Sequence, residues 1–525
     1  MRFVSVLALC SALCIPTLAF AATSNLAQYL DPIMIGEQPT IGSDTIITPD
    51  LVIAAYQANN FDAIWQDQDY ALQAIELLKQ AELEGLNPQD YHLQALQELL
   101  QQDDSAQFDV LMTDAVMTYA THLIRGKVNP KSLTKTWNYD QHDVTPDQAA
   151  AALLKHVKAQ TLAEGLENLK PQIPHYKRLK DGLVFYKKLQ TLKPLPQASL
   201  AKGVIRPTET DPSIPVIRRR LERLGYYTGE LNDENLTYDK PLQEAVEKLQ
   251  YFNQVKTDGV IGKDTLKLLN QSYQEKINDI IVNLERTRWV DNNLTEDFLI
   301  VNIAGFKVFL MKNGKLKWES NVVVGRNYTK TPIFKGRLSY VVINPTWTVP
   351  RSITKGLVDK VKANPNYLEE KNFYLVDAKR NPIDAQSIDW DSVNRNKFPY
   401  WFVQGPSENN SLGQVKFMFP NKYSVYLHDT PAKTLFAEDQ RAFSHGCVRV
   451  ENPFDLAEHV LANTNSWSRN KIDETLASKE TTRVTLDKPL DVLLMYWTVA
   501  GNEDGLHFYS DVYNRDPALL AKLTQ

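Results

Sequence analysis

The side chains with the most chemical capacity lie close together in Ala442-Phe443-Ser444-His445-Gly446-Cys447-Val448-Arg449-Val450. Cys447 is one of three cysteines, and the other two, Cys10 and Cys14, fall in an apolar leader. A thiol near its free pKa of about 8.5 is only partly ionised at neutral pH, so as a nucleophile it needs a base beside it. His428, nineteen residues upstream, closes the run Tyr423-Ser424-Val425-Tyr426-Leu427, which predicts a strand. That position makes it the first candidate for the base. His445 is the second, but two residues before Cys447 on an extended segment it shares that residue's face only loosely. Gly446 allows a tight turn in which consecutive N–H groups point at a developing oxyanion. Two other readings stand beside this one. A free cysteine is commonly a small buried hydrophobe, and Cys447, His428 and His445 also make a zinc set with one open position. No HExxH or comparable ligand helix supports the metal, and His459 stands without a partner on the following helix.

The rest of the chain bounds what such a site can serve. Residues 1–21 read as a secretory leader: Arg2, an apolar run from Val4 to Ile15, Pro16, then Ala19-Phe20-Ala21 as a small-x-small cleavage signal. The run is too short for a membrane anchor and no later stretch spans a bilayer. Cleavage removes Cys10 and Cys14, so the exported protein carries a single thiol and no internal disulfide framework. The 525 residues are 43% hydrophobic and 23% charged, with 58 basic and 63 acidic side chains. That is a globular chain with room for several cores, and its balance argues against nucleic acid as partner.

Residues 22–200 read as a helical scaffold. Apolar residues recur at helical spacing from Tyr70 to Leu83, stopping at Gly85, and from Phe108 to Leu123, stopping near Gly126; Ala149 to Leu162 and Lys177 to Leu192 add two more helices. His122 and His156 lie on these helices as core or surface residues, not ligands. Leu192 to Pro215 is proline-rich and predicts a linker. From 211 to 270 come two amphipathic helices, a turn on Asp258-Gly259 and Ile261-Gly262, and a third helix from Asp264 to Gln271 with Asp264 as N-cap. Leu224-Gly225-Tyr226-Tyr227-Thr228-Gly229, Ala245-Val246 and Asp258-Gly259-Val260-Ile261-Gly262 resemble the three-helix peptidoglycan-binding module, with Leu249 where that family usually has phenylalanine. A helical spacer of the same shape is the alternative, since fold does not fix function.

From Phe298 the texture becomes strands: Phe298 to Ile303, Phe306 to Met311, Leu316 to Val324, Leu338 to Ile343, Val415 to Phe419 and Ser424 to Leu427, with Asn313-Gly314 as a hairpin signal. This predicts a β-sandwich-like domain. Between about 350 and 406 the strand pattern lapses, leaving a segment with one helix (Lys355 to Ala363) and Trp390, Tyr400 and Trp401. Its length suggests a lid or cap.

His428 followed by Ser444-His445-Gly446-Cys447-Val448-Arg449 resembles the signature of L,D-transpeptidases with the YkuD-type fold, and Asn344-Pro345-Thr346-Trp347-Thr348-Val349-Pro350 is similar to a second segment of that family. The order of scaffold, module and catalytic domain with a cap (296–500), then an extension over 501–525, is similar to the large periplasmic YcbB-like group. Asp429 replaces the glycine of shorter members, leaving open whether it or a backbone carbonyl orients His428. The resemblance implies an α+β multidomain enzyme of the periplasm, without cofactor, that forms 3–3 crosslinks between peptidoglycan stems. Cys447 would attack a tetrapeptide donor to give a thioacyl-enzyme, with His428 as base and acid and a second stem as acceptor. Gly446 and Cys447 N–H groups would form the oxyanion hole, and Ser444 and His445 would shape the loop or orient His428. Arg449 would either brace an internal carboxylate, the preferred role, or meet a substrate carboxylate; Trp347, Tyr400 and Trp401 would line the donor groove. Carbapenems would acylate Cys447. Water as acceptor would give an L,D-carboxypeptidase or endopeptidase instead. A non-catalytic wall-binding protein using only the module would leave the lone exported cysteine unexplained.

Overall fold

The computed structural model describes residues 26–102, 105–140, 144–290, 294, 296–462, 464 and 467–525. The leader, with Cys10 and Cys14, lies outside the described residues. The chain divides into two compact units, one of 26–82, 86–123 and 144–170, the other of 83–85, 124–140 and the described residues from 171 onward.

The smaller unit is helical around the helix Ser105–Arg125, buried over most of its length. Two acids on that helix, Asp109 and Asp114, are buried. A buried carboxylate must be fully hydrogen-bonded. Asp109 accepts from the Ile64 and Trp65 N–H groups and the Tyr56 hydroxyl. Asp114 accepts from the Ile47 and Thr48 N–H groups, the Thr48 hydroxyl and His92 Nε2, whose Nδ1 meets Asp44. These acids tie the loops around 44–48 and 63–65 to the central helix. His122 meets the Tyr91 hydroxyl and His156 the Thr161 hydroxyl.

In the larger unit, the helix Pro174–Gln190 read as scaffold packs instead on Tyr273–Arg288, sharing Leu179, Leu183, Ile277 and Ile280 in one core. The three helices Ile214–Arg223, Lys240–Phe252 and Lys263–Asn270 enclose a core of Ile217, Leu221, Leu242, Val246 and Leu249. Gln250 fixes the intervening turn: its amide donates to the Val260 carbonyl and its carbonyl accepts the Gly259 N–H. Two expectations change here. Gly262, not Asp264, is the N-cap of the third helix. The segment read as a linker is laid along the module: Ile205 pairs with Ile261, and Arg220 and Arg223 donate to the Pro196 and Lys193 carbonyls. Proline leaves those carbonyls without a strand or helix partner, and the arginines supply one.

The C-terminal half is built on one nine-stranded sheet of β1 (Phe298–Asn302), β2 (Lys307–Lys312), β3 (Lys315–Gly325), β4 (Phe334–Ile343), β5 (Val415–Met418), β6 (Leu427–His428), β7 (Ala442–Ser444), β8 (Val448–Val450) and β9 (Thr482–Met495). Their order is β7-β3-β8-β6-β5-β4-β9-β1-β2, and β2 also pairs with β3, so the sheet curls back on itself. β3 does this by length, pairing with β2 along its first part and with β8 and β7 along its last. Asn313 and Gly314 both take positive φ, which a two-residue turn with the sheet's twist requires. The architecture is thus a helical N-terminal region, a three-helix module and a strand-rich C-terminal domain.

Three details depart from expectation. The strand before His428 is only two residues long, because Ser424 sits at φ +55 and Asn421 ties the loop by accepting the Tyr423 and Val425 N–H groups. The 350–406 segment carries strands: Phe373–Val376, Pro382–Ile383 and Trp401–Gln404 form a small sheet with Trp347–Thr348, under the helix Arg351–Ala363. Val349, Leu357, Val358, Phe398 and Phe402 give it a core of its own. Residues past 500 are not an appendage, since Tyr513, Leu519 and Leu523 lie in the core of the large sheet.

Candidate active site

Strand register decides which side chains meet. β5 runs antiparallel to β6 with Lys416 opposite His428, and β6 runs parallel to β8 with His428 beside Arg449. Residues opposed across a ladder project to the same face. Lys416, His428 and Arg449 therefore form a row across three strands. The next row is offset by two residues and holds Tyr426 and Cys447, fixed by the Val448 N–H donating to the Tyr426 carbonyl (3.1 Å). Cys447 and His428 are thus neighbours on one face, diagonal to each other.

His428 is buried, 4% exposed. Its Nδ1–H donates to the Asp429 carbonyl (2.5 Å), which leaves Nε2 as the lone-pair nitrogen. The backbone carbonyl, not the Asp429 side chain, orients the ring. That carboxylate accepts the Gln414 N–H (2.9 Å) and pairs with Lys433 Nζ (2.7 Å). Burial, with repulsion from Arg449 and Lys416, pushes the imidazole down to about 3 against the pull of the Asp429 and Leu412 carbonyls. Burial pushes the Cys447 thiol up, opposed by hydrogen bonds from Tyr426 and by the charges of Lys416 and Arg449. Both directions favour a neutral thiol beside a neutral imidazole. Tyr426 touches both partners, hydrogen-bonded to Cys447 and with its ring 5.6 Å from that of His428. The thiol also points at the Ser424 carbonyl (3.6 Å).

The nucleophile turn is braced from below. Gly446 takes φ +115, a conformation strained for any other residue. Ser444 Oγ accepts the Gly446 N–H (3.0 Å) and donates to the Cys447 carbonyl (2.5 Å). The Gly446 N–H is therefore engaged inside the turn, and of the two groups expected at an oxyanion hole, only Cys447 N–H has no such claim from Ser444. Beneath it, Thr331 Oγ1 donates to the Gly446 carbonyl and accepts the Gly325 N–H, both at 2.9 Å. The Tyr513 hydroxyl accepts the Thr331 N–H (3.0 Å) and donates to the Gly325 carbonyl (2.6 Å). A Cβ on Gly325 would stand 2.1 Å from the Thr329 carbonyl, so glycine is needed there too.

His445 is exposed on the outer side of the turn, where burial and then Arg326 and Arg449 lower its pKa. Among the described residues no group of three or more His, Cys, Asp or Glu is placed to hold a metal ion. Among the described residues Arg449 forms no salt bridge with a carboxylate, and its Nε is buried without a hydrogen-bond partner. Tyr400 and Trp401 sit in the insertion, and Trp347 precedes it on a strand paired with the insertion's sheet. Trp347 packs near Phe373, Tyr400 on Phe398, and Trp401 under the Arg351 guanidinium (3.8 Å). No ring or hydrogen-bond contact among the described residues joins these three to Cys447 or His428. Reading the sequence alone missed Tyr426, Lys416, Thr331 and Tyr513. Tyr426 and Lys416 did carry a signal, being polar groups set two residues from His428 and within an apolar strand, but only the register reveals their neighbours.

Residues 296–479 match the profile of the L,D-transpeptidase catalytic domain (YkuD), 210–269 that of the "Putative peptidoglycan binding domain", and 50–183 that of a scaffold domain. A Haemophilus influenzae protein named "Putative L,D-transpeptidase" is 39% identical over 219 residues, 42% of this chain and 44% of that protein. The chain thus spans less than half the length of this curated relative. A crystal structure of an L,D-transpeptidase from Xylanimonas cellulosilytica DSM 15894 is 14% identical, covering 58% of this chain and all of that one at a TM-score of 0.18, too low to bear on the fold. Residues 296–479 are thus similar to YkuD-type L,D-transpeptidase catalytic domains, and residues 210–269 to peptidoglycan-binding domains. No described helix is long and apolar enough to cross a membrane.

Proposed function

We propose that the L,D-transpeptidase catalytic domain of this chain forms 3–3 crosslinks between peptidoglycan stems through a thioacyl-enzyme on Cys447. The observation that carries this reading is the placement of a half-buried thiol on a braced glycine turn, diagonal to a histidine whose Nδ1–H is engaged by the Asp429 carbonyl so that Nε2 carries the lone pair. Cys447 Sγ attacks the carbonyl of the third stem residue of a tetrapeptide donor while its proton passes to His428 Nε2. The developing oxyanion is met by the Cys447 N–H, with the Tyr426 hydroxyl beside the sulfur. His428 then gives the proton to the departing D-Ala amine, leaving a thioester. The side-chain amine of a diamino acid in a second stem attacks that thioester, and its proton returns through His428 to the sulfur as the new amide forms. Substrate of this kind lies outside the cytoplasm, so the chain is assigned to the periplasm, reached through the leader at 1–21. The same thioester chemistry makes Cys447 the target of carbapenems.

The test separates the two histidines. Cys447→Ala abolishes crosslinking and acylation by a carbapenem while the protein stays folded. His428→Ala slows acylation by about 100-fold or more, and His445→Ala has a milder effect. A crosslinking Cys447→Ala protein would remove the mechanism, and the reverse order of the histidines would make His445 the base.

A further inference from the structure

The row Lys416–His428–Arg449 contains a base between two cations and no acid. Lys416 is half-buried, with its Nζ 3.9 Å from the Tyr426 ring centroid. Arg449 keeps a buried, unpartnered Nε, and Arg326 adds a third positive charge nearby. Asp429, the acid next in sequence to His428, is already taken by Lys433 and the Gln414 N–H. Among the described residues neither Lys416 nor Arg449 forms a salt bridge. Two poorly solvated cations without an anion are costly to keep. Such an arrangement marks a place where an anion arrives.

The acyl-transfer reading, on which this inference rests, brings one. His428 protonates the leaving amine of the donor's last residue, and that residue's carboxylate is one carbon from the same nitrogen. Strands lie about 4.8 Å apart, so the carboxylate falls within reach of the side chains flanking His428. The geometry points to Lys416 and Arg449 as the recognition pair for the free α-carboxylate of the donor peptide's terminal residue. The site then selects stems that end in a free acid. Seating that carboxylate also offsets the charges that keep a proton off His428, so the donor raises the basicity of the base that acts on it. The groups facing His428 are Lys416 on β5, Tyr426 and the Asp429 carbonyl on or next to β6, Cys447 and Arg449 at β8, and the Leu412 carbonyl.

The experiment compares two donors on the full chain: a disaccharide-tetrapeptide with a free terminal carboxylate, and the same molecule ending in a carboxamide. Formation of the Cys447 thioester is followed by intact mass. The wild-type protein is expected to favour the acid by about tenfold to a hundredfold in kcat/KM. Lys416→Met and Arg449→Gln shrink that ratio towards one by slowing the acid donor more than the amide donor, and Arg449→Lys restores part of it. The acid limb of kcat lies at higher pH with the acid donor than with the amide. Equal acylation of the wild-type protein by both donors, which needs no substitution to observe, overturns the inference. So do variants that slow both donors by the same factor, the mark of a purely structural role. Acylation by neither donor removes the acyl-transfer reading itself, and this inference with it.

Discussion

Thr331→Val is a near-isosteric change that removes one oxygen from beneath the nucleophile. Thr331 is fully buried, and its Oγ1 links the Gly325 N–H to the Gly446 carbonyl. Valine fills the same space, so no cavity contributes. The cost is two buried backbone groups left unmet, each about 1–3 kcal/mol. A loss of about 2–6 kcal/mol, at about 2–4 °C per kcal/mol for a domain of this size, lowers Tm by roughly 4–24 °C. The functional effect is separable, because the turn that loses its brace carries Cys447 while the substrate contacts stay in place. Acylation kcat should fall at least about tenfold with KM little changed. Tyr513→Phe strips the next link, the hydroxyl that donates to the Gly325 carbonyl and accepts the Thr331 N–H, and acts in the same direction. Because both residues serve one chain of hydrogen bonds, the double variant should lose less than the sum of the two. The assay pairs thermal melts with single-turnover carbapenem acylation. A Thr331→Val protein with unchanged Tm and unchanged acylation rate would refute the argument.

Three further outcomes follow from the electrostatics. With His428 pushed down to about 3 and Cys447 pushed up, the free enzyme keeps one neutral state across neutral pH. The kcat/KM profile should then show no rise centred near pH 6.5, where an ordinary histidine titrates; such a rise would contradict the assignment. Tyr426→Phe removes a hydrogen bond that favours the thiolate, so the pH midpoint of Cys447 alkylation by iodoacetamide should move up, and a downward move would count against it. In the smaller unit, burial lowers the His92 pKa, but Asp114 and Asp44 outweigh it and hold it above its usual value. That raised pKa stabilises the fold fully below pH about 6.5, and the contribution is lost as pH rises through the folded value. Asp114→Asn should cost about 3–5 kcal/mol and flatten the dependence above pH about 6.5. An unchanged slope in thermal melts would show that His92 is not the titrating group.

Much of this site was legible because its chemistry is written in unusual residue types. A single cysteine in a Ser-His-Gly-Cys-x-Arg run is rare enough to announce itself, and the hairpin at Asn313-Gly314 follows from local backbone preference. What could not be read was set by register and by distant contacts. The row of Lys416, His428 and Arg449 depends on how β5, β6 and β8 align, and nothing local to any of them fixes that. Tyr513 reaches Gly325 across 188 residues of sequence. The strand ending at His428 is shorter than its pattern predicts: Tyr423 to Leu427 alternates as a strand should, while Asn421 folds its first part into a loop. The insertion's strands were missed because they are short and its apolar residues pack into a private core instead of alternating against the main sheet. The proline-rich stretch before the module looked unstructured because its partners are arginines on the following helix.

The most direct measurement is the intact mass of the leaderless protein during turnover of a disaccharide-tetrapeptide, with the products resolved as muropeptides. The account predicts a transient thioester that maps to Cys447 and a dimer joined between the third residues of two stems. An adduct that decays only to tripeptide would make water the acceptor and the protein an L,D-carboxypeptidase. No adduct on Cys447, with crosslinks still formed, would contradict the central claim.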